Sequence, residues 1–175
     1  MGKTLGAGKL PLIQVLVFGG LMVTLSMGIR HGFGLFNLPI TQANGWGRET
    51  FALTIALQNL IWGAIQPVTG ALADRFGGFK IMVIGGLLYA LGLAGMALST
   101  SALSFTFAGG LLIGLAQTAT TYSVVYGILG RNVPAEKRVW AMGVAAAAGS
   151  FGQFLMIPAE QGLLSAFGVQ DALLL

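Results

Sequence analysis

Arg30 is a guanidinium set inside a long apolar run, Leu12 to Phe36, where a charge is costly unless it meets a partner or a cavity. Thr24 marks the middle of that run, and Arg30 follows six residues later. On a helix this is about 9 Å off the centre. A guanidinium grips a carboxylate through parallel N–H donors, so the chemistry on offer is recognition of a small organic anion. Two other fates are open to it: snorkelling to headgroups, or a structural ion pair with an acid elsewhere. His31 points about 100° away around the same helix. It could titrate in proton coupling, or simply hydrogen-bond a neighbouring helix.

Further polar residues punctuate the other apolar runs. Gln58, Trp62 and Gln66 fall on one helical face beside Asn59, Gln117, Thr120 and Thr121 make one stripe, Thr118, Tyr122 and Tyr126 make another, and Gln153 sits in a later run. Stripes on several helices suit a shared aqueous cavity. They suit interhelical hydrogen bonds equally, each worth about 0.6 kcal/mol. Arg30, Asn59, Gln117, Tyr122 and Gln153 are the candidate substrate-binding residues. No acid is expected at mid-membrane depth; Glu160 and Asp171 are expected near the outer surface, in water. The chain has no cysteine, no nucleophile–base triad and no cluster of metal-ligand type, which points away from an enzyme and from any cofactor or metal. The net charge of +4 comes from bases scattered among connecting loops, so nucleic acid is not an expected partner.

The elements that must position these residues are membrane helices. Hydrophobic residues make up 55% of the 175-residue chain and charged residues 8%, with a mean hydropathy of +0.84. Soluble domains carry about 25% charged residues. A span needs about 20 apolar residues, and the pattern predicts helices over 12–36, 51–72, 79–99, 103–127 and 139–159, with a sixth opening near 171–175. The first run is too long for a cleaved signal peptide. Gly28/Gly32, Gly110/Gly114 and Pro67 are expected to allow close packing and kinks. Lys3, Lys9, Arg75, Lys80, Arg131, Lys137 and Arg138 share one side, while the opposite loops hold only Arg48. The excess of bases predicts a cytoplasmic N-terminus and a multi-pass protein of the cell (inner) membrane. Trp46 and Trp140 are expected as anchors at opposite faces.

Between the second and third runs lies Gly70-Ala71-Leu72-Ala73-Asp74-Arg75-Phe76-Gly77-Gly78-Phe79-Lys80. Gly70, Leu72, Asp74, Arg75 and Gly77 resemble the loop signature of the major facilitator superfamily, although Gly78 and Phe79 stand where bases are usual. The Arg30-to-Phe36 stretch and the basic-then-Ala/Gly run Arg138 to Ser150 resemble the monocarboxylate transporter-like branch. The fourth run lacks the arginine typical of proton-driven drug exporters. The resemblance implies an all-α fold: the N-terminal six-helix half of a major facilitator bundle, with its sixth helix truncated. It implies gating by Gly70, Asp74, Arg75 and Gly77, a substrate site between two halves, and a missing C-terminal half as partner. The expected function is secondary active transport of small organic anions, monocarboxylates among them, by alternating access. The alternatives are transport of neutral solutes, or a non-transporting membrane scaffold.

Overall fold

The computed structural model describes residues 12–175; Lys3 and Lys9 lie outside the described residues. The described chain is helical throughout, with five helical stretches long and apolar enough to cross a membrane. The first, α1 (Leu12–Asn44), continues past Phe36 and through Pro39. It stops where Gly45 turns to φ 65°, and Trp46 N–H reaches back to Thr41 O at 2.9 Å. This glycine-terminated cap satisfies the last carbonyls. Trp46 then rests on Phe105, their ring centroids 5.5 Å apart, so it closes the loop end of the core.

Helix α2 (Arg48–Phe76) and helix α3 (Gly78–Ala97) are joined by one residue, Gly77. Its φ of 95° is a conformation that side chains rarely adopt. Gly78 then presses on Ile128, where a Cβ would collide with the side chain. The turn is therefore a single residue long, and it requires Gly77 of the signature together with Gly78, which stands outside it.

The fourth span is not one regular helix. It runs through α4 (Ala102–Thr106), a π-helical segment (Phe107–Leu112), α5 (Ile113–Thr120) and α6 (Tyr122–Asn132). Ser101 opens it with a capping box to Ser104. Between α5 and α6, Thr121 is extended, with φ −101° and ψ −170°. The last element, α7 (Ala135–Leu174), bends at Gly168, where φ is 78°. Beyond the bend, where a sixth span was expected to open, Ala172 and Leu173 are buried.

The helices α1 and α7 make the most extensive contact. Glycines bring their backbones together: Gly152 lies directly on the Thr24 main chain, and Gly28 faces Met156 and Gly152 O. Thr24 Oγ1 donates to Ala148 O at 2.9 Å. The fourth span packs on α2 in the same manner, with Gly110 against Leu57 and Gly114 against Ile61. Such small-residue contacts supply the close van der Waals packing that lipid, itself apolar, cannot drive.

The buried apolar side chains form two clusters. One includes Phe33, Phe51, Tyr89 and Phe105; the other includes Val23, Met82, Val125 and Leu129. Between them along α1, α2 and α5 lie the buried polar residues Ser26, Gln58, Gln117 and Thr120. Leu87, Leu91, Val139 and Phe154 stay exposed, as lipid-facing side chains should.

Candidate functional site

Arg30 is half-buried on α1 and turned toward α2. Its Nη2 donates to Asn59 Oδ1, and its guanidinium carbon sits 4.9 Å from the centroid of the Trp62 ring. A cation over an indole face is favourable by about 0.5–2 kcal/mol. Neither contact neutralises the charge. Among the described residues, the sole ion pair joins Arg131 and Asp74, and no acid reaches Arg30. The structural ion pair considered for Arg30 is thus absent from the described residues, and its Nε is buried without a partner.

Trp62 links this arginine to the broken fourth span. Its Nε1–H donates to Thr121 Oγ1 at 3.2 Å, and the Thr121 hydroxyl donates to Gln117 O at 2.7 Å. Arg30, Asn59, Trp62 and Thr121 are therefore one connected group drawn from three spans. Tyr122, first residue of α6, is half-buried, lies against Gly149 of α7 and stacks with Tyr126 at a centroid distance of 5.5 Å. Gln153 is half-buried on α7 one turn further along.

Gln117 stands apart from these. It is fully buried, and neither its amide oxygen nor its nitrogen has a partner among the described residues. Gln58 is also buried and spends its Nε2–H on Gly109 O, the carbonyl of the π-helical segment, at 3.0 Å. The stripes thus divide. Ser26 with Thr120 at 2.8 Å, Thr69 with Thr118 at 2.7 Å, and Thr54 with Thr106 at 3.1 Å bind helix to helix. The group around Arg30 remains on the half-open face. His31 is exposed, with Nδ1–H on Met27 O of its own helix at 2.7 Å.

Glu160 departs from expectation. It was expected near the outer surface, in water, yet it is 7% exposed, and both carboxyl oxygens lack a partner among the described residues. It is sealed against Gly32 of α1, where a Cβ would overlap the carboxyl group. Asp171, the other acid of that region, is exposed.

At the opposite end, Arg131 of α6 pairs with Asp74 of α2. Arg75 is exposed beside its neighbour Phe76, and Gly70 is half-buried with open space around it. A cavity of about 750 Å³ opens here, not at Arg30, lined by Phe18, Asp74, Phe79, Val125 and Arg131 among others. Both partners of the ion pair are more than a third exposed, so it contributes about 0–1 kcal/mol to stability. Asp74→Asn is therefore expected to leave the thermal stability of the purified protein within a few degrees of wild type while lowering flux in vesicles. The gating that the loop signature implies for Asp74 is tested by the same variant: wild-type flux at equal expression would remove it.

The helical hairpin with its Asp74 turn, the glycine-packed spans and the polar group within them describe a multi-span helical membrane bundle. The Major Facilitator Superfamily model matches residues 15–175, and the chain belongs to that superfamily. It is 32% identical to mouse monocarboxylate transporter 11 over 151 residues, 86% of this chain and 33% of that protein. It is 30% identical to bovine monocarboxylate transporter 13 over 153 residues, again 86% of this chain and 35% of that protein. Over 85 residues it is 34% identical to the multidrug resistance protein MdtH of Photorhabdus laumondii, 49% of this chain and 21% of that protein. The chain spans about a third of the length of the monocarboxylate transporters it matches.

Proposed function

We propose that this chain is the N-terminal bundle of a secondary active transporter of small organic anions, monocarboxylates among them, and that Arg30 receives the carboxylate. The observation that carries this reading is the uncompensated guanidinium inside a membrane span, held by Asn59 and Trp62 and facing no acid among the described residues. Asn59 and the Trp62 ring fix the planar fork without consuming its charge, which leaves donors for two carboxylate oxygens. Tyr122 and Gln153 continue the lining. Gln117 acts behind them, as a buried support of the broken span. A second six-helix half of the same protein completes the site, and rocking of the halves moves it between faces. The relatives named monocarboxylate transporters support this substrate class.

The test is uptake of labelled monocarboxylates by the full-length protein in vesicles, with a neutral solute and a cationic drug as comparison substrates. Carboxylate-selective uptake is expected. Uptake of only the neutral solute would replace the anion reading, and no flux of any of the three would favour the scaffold alternative.

Orientation follows from the loop bases, with the Asp74 turn in the cytoplasm of a cell-membrane protein. Lys80 and Thr100 are exposed at opposite ends, and this chain has no cysteine of its own. Single cysteines at these two positions are expected to label from opposite sides of the membrane, with Lys80 on the cytoplasmic side. Labelling from the same side would overturn the span map.

A further inference from the structure

Glu160 is left over from the site described above. Its carboxyl group is buried between α7 and α1, both oxygens are unpartnered among the described residues, and the surface it rests on is Gly32. The charged and titratable side chains of the surrounding elements are engaged elsewhere. Arg30 of α1 turns toward Asn59 and Trp62, and His31 is exposed and bonded to Met27 O. Tyr89 of α3 is buried, and its hydroxyl donates to Ser26 O at 3.3 Å. Tyr122 and Tyr126 of α6 stack on one another at the level of Gly149, three turns away, and Arg131 is taken by Asp74. On α7 itself, Glu136, Lys137, Arg138 and Asp171 are exposed. Among the described residues, no cation closes on the carboxyl group.

An ionised carboxylate sealed in this way would carry a large desolvation cost with no counter-charge among the described residues to offset it. A neutral acid carries far less. The glycine opposite is the other half of the arrangement: any side chain at position 32 would occupy the volume of the carboxyl group. The seam between α1 and α7 is thus shaped to hold one uncharged carboxyl.

We propose that Glu160 is a proton-binding residue that latches α1 to α7 at Gly32. The proton resides on the carboxyl oxygen while the seam is closed. When the two helices separate there, water reaches the group, and the O–H bond breaks heterolytically to leave a carboxylate and a hydrated proton. Closing the seam again requires that a proton be taken back. The bound species is the proton alone, and no other reactant is needed. This deepens the transport reading, on which the coupling to flux rests; the proton site itself stands without it.

Two measurements on the full-length protein separate these. The first is infrared spectroscopy at neutral pH. The wild type is expected to show a C=O stretching band of a neutral carboxylic acid, and Glu160→Gln to lack it. An identical band in the variant, or no such band in the wild type, overturns the proton site whether or not the protein transports anything. The second is the pH profile of solute uptake in vesicles. Glu160→Gln keeps the size and neutrality of the seated acid, so the protein is expected to insert and bind solute while uptake loses its dependence on pH. A purely structural carboxyl predicts an unchanged profile, and that result overturns the coupling. Gly32→Ala is the companion variant: by crowding the carboxyl, it is expected to diminish the infrared band without removing Glu160. If Gly32→Ala is not recovered in folded form, the two readouts on Glu160→Gln still decide.

Discussion

Gly152→Val is expected to abolish recovery of folded protein from the membrane, whereas Gly143→Ala on the same helix is expected to be harmless. The two glycines look alike in the sequence, both within the Ala/Gly-rich run of α7. In the structure Gly143 has open space where a Cβ would go, while at Gly152 the added atom would collide with the backbone of Thr24 on α1. A flexible side chain can swing aside; a backbone cannot. Relief requires α1 and α7 to move apart, which would also break the Thr24 hydroxyl bond to Ala148 O and loosen Gly28 from Met156. Overpacking costs about 1–3 kcal/mol, occasionally more, even where side chains yield. Here the seam is the largest in the bundle, so the upper end of that range is expected. At Gly143, alanine should stabilise the helix by about 0.5–1 kcal/mol. The measurement is the monodisperse fraction and the thermal midpoint of each variant in detergent. A Gly152→Val protein of wild-type yield and midpoint would mean that α1 and α7 do not meet where the structure places them.

These seams explain which features could be read from residues alone. The spans follow from apolar length, and the α2–α3 hairpin from the Asp74 turn, because these are local signals; the first span, expected to end at Phe36, runs on to Asn44, where Gly45 stops it. The pairs Gly28/Gly32 and Gly110/Gly114 announce close packing, yet only the fold says that the first pair meets α7 and the second meets α2. Glu160 was misjudged for the same reason. A carboxyl two residues beyond Pro158, near the end of an apolar run, reads as an acid leaving the membrane. Its burial depends on Gly32, a position far away in the chain, and on α7 continuing without a break through Pro158 to the bend at Gly168. The interruption at Thr121 was equally hidden. A threonine pair in a polar stripe has no local feature that separates a helix surface from a helix break. The extended residue is tied through its hydroxyl to Trp62 Nε1 from another span, a contact that local sequence does not show. Gln117, grouped with the lining residues by its type, turned out to be enclosed. Periodicity gives the angle of a residue around its helix but not whether a neighbouring helix covers that angle.

Arg30 presents the opposite case, a residue whose type and depth spoke clearly and whose surroundings bear directly on its role. Arg30→Gln is expected to weaken carboxylate binding by about 10- to 100-fold, since a hydrogen bond to a charged group is worth about 1.5–3 kcal/mol and each 1.4 kcal/mol is tenfold. Arg30→Lys should lose less, because the charge survives while the planar fork and much of the stacking on Trp62 do not. Asn59→Ala should also weaken binding, by freeing the guanidinium to swing away from the position Asn59 now fixes. None of these changes should impair insertion. A charge in the span is costly to begin with, and no acid among the described residues would be stranded by its removal. That last point separates the two accounts of the arginine. If Arg30 were one half of a structural ion pair, Arg30→Gln would leave a buried carboxylate alone and the protein would fold poorly. If it binds substrate, the variant should fold as well as the wild type and fail at the anion. The decisive readout is uptake against carboxylate concentration for the full-length variants, normalised to the folded protein in the vesicles. Unchanged apparent affinity in Arg30→Gln would take the anion away from this site and leave the neutral-solute transporter as the reading to pursue.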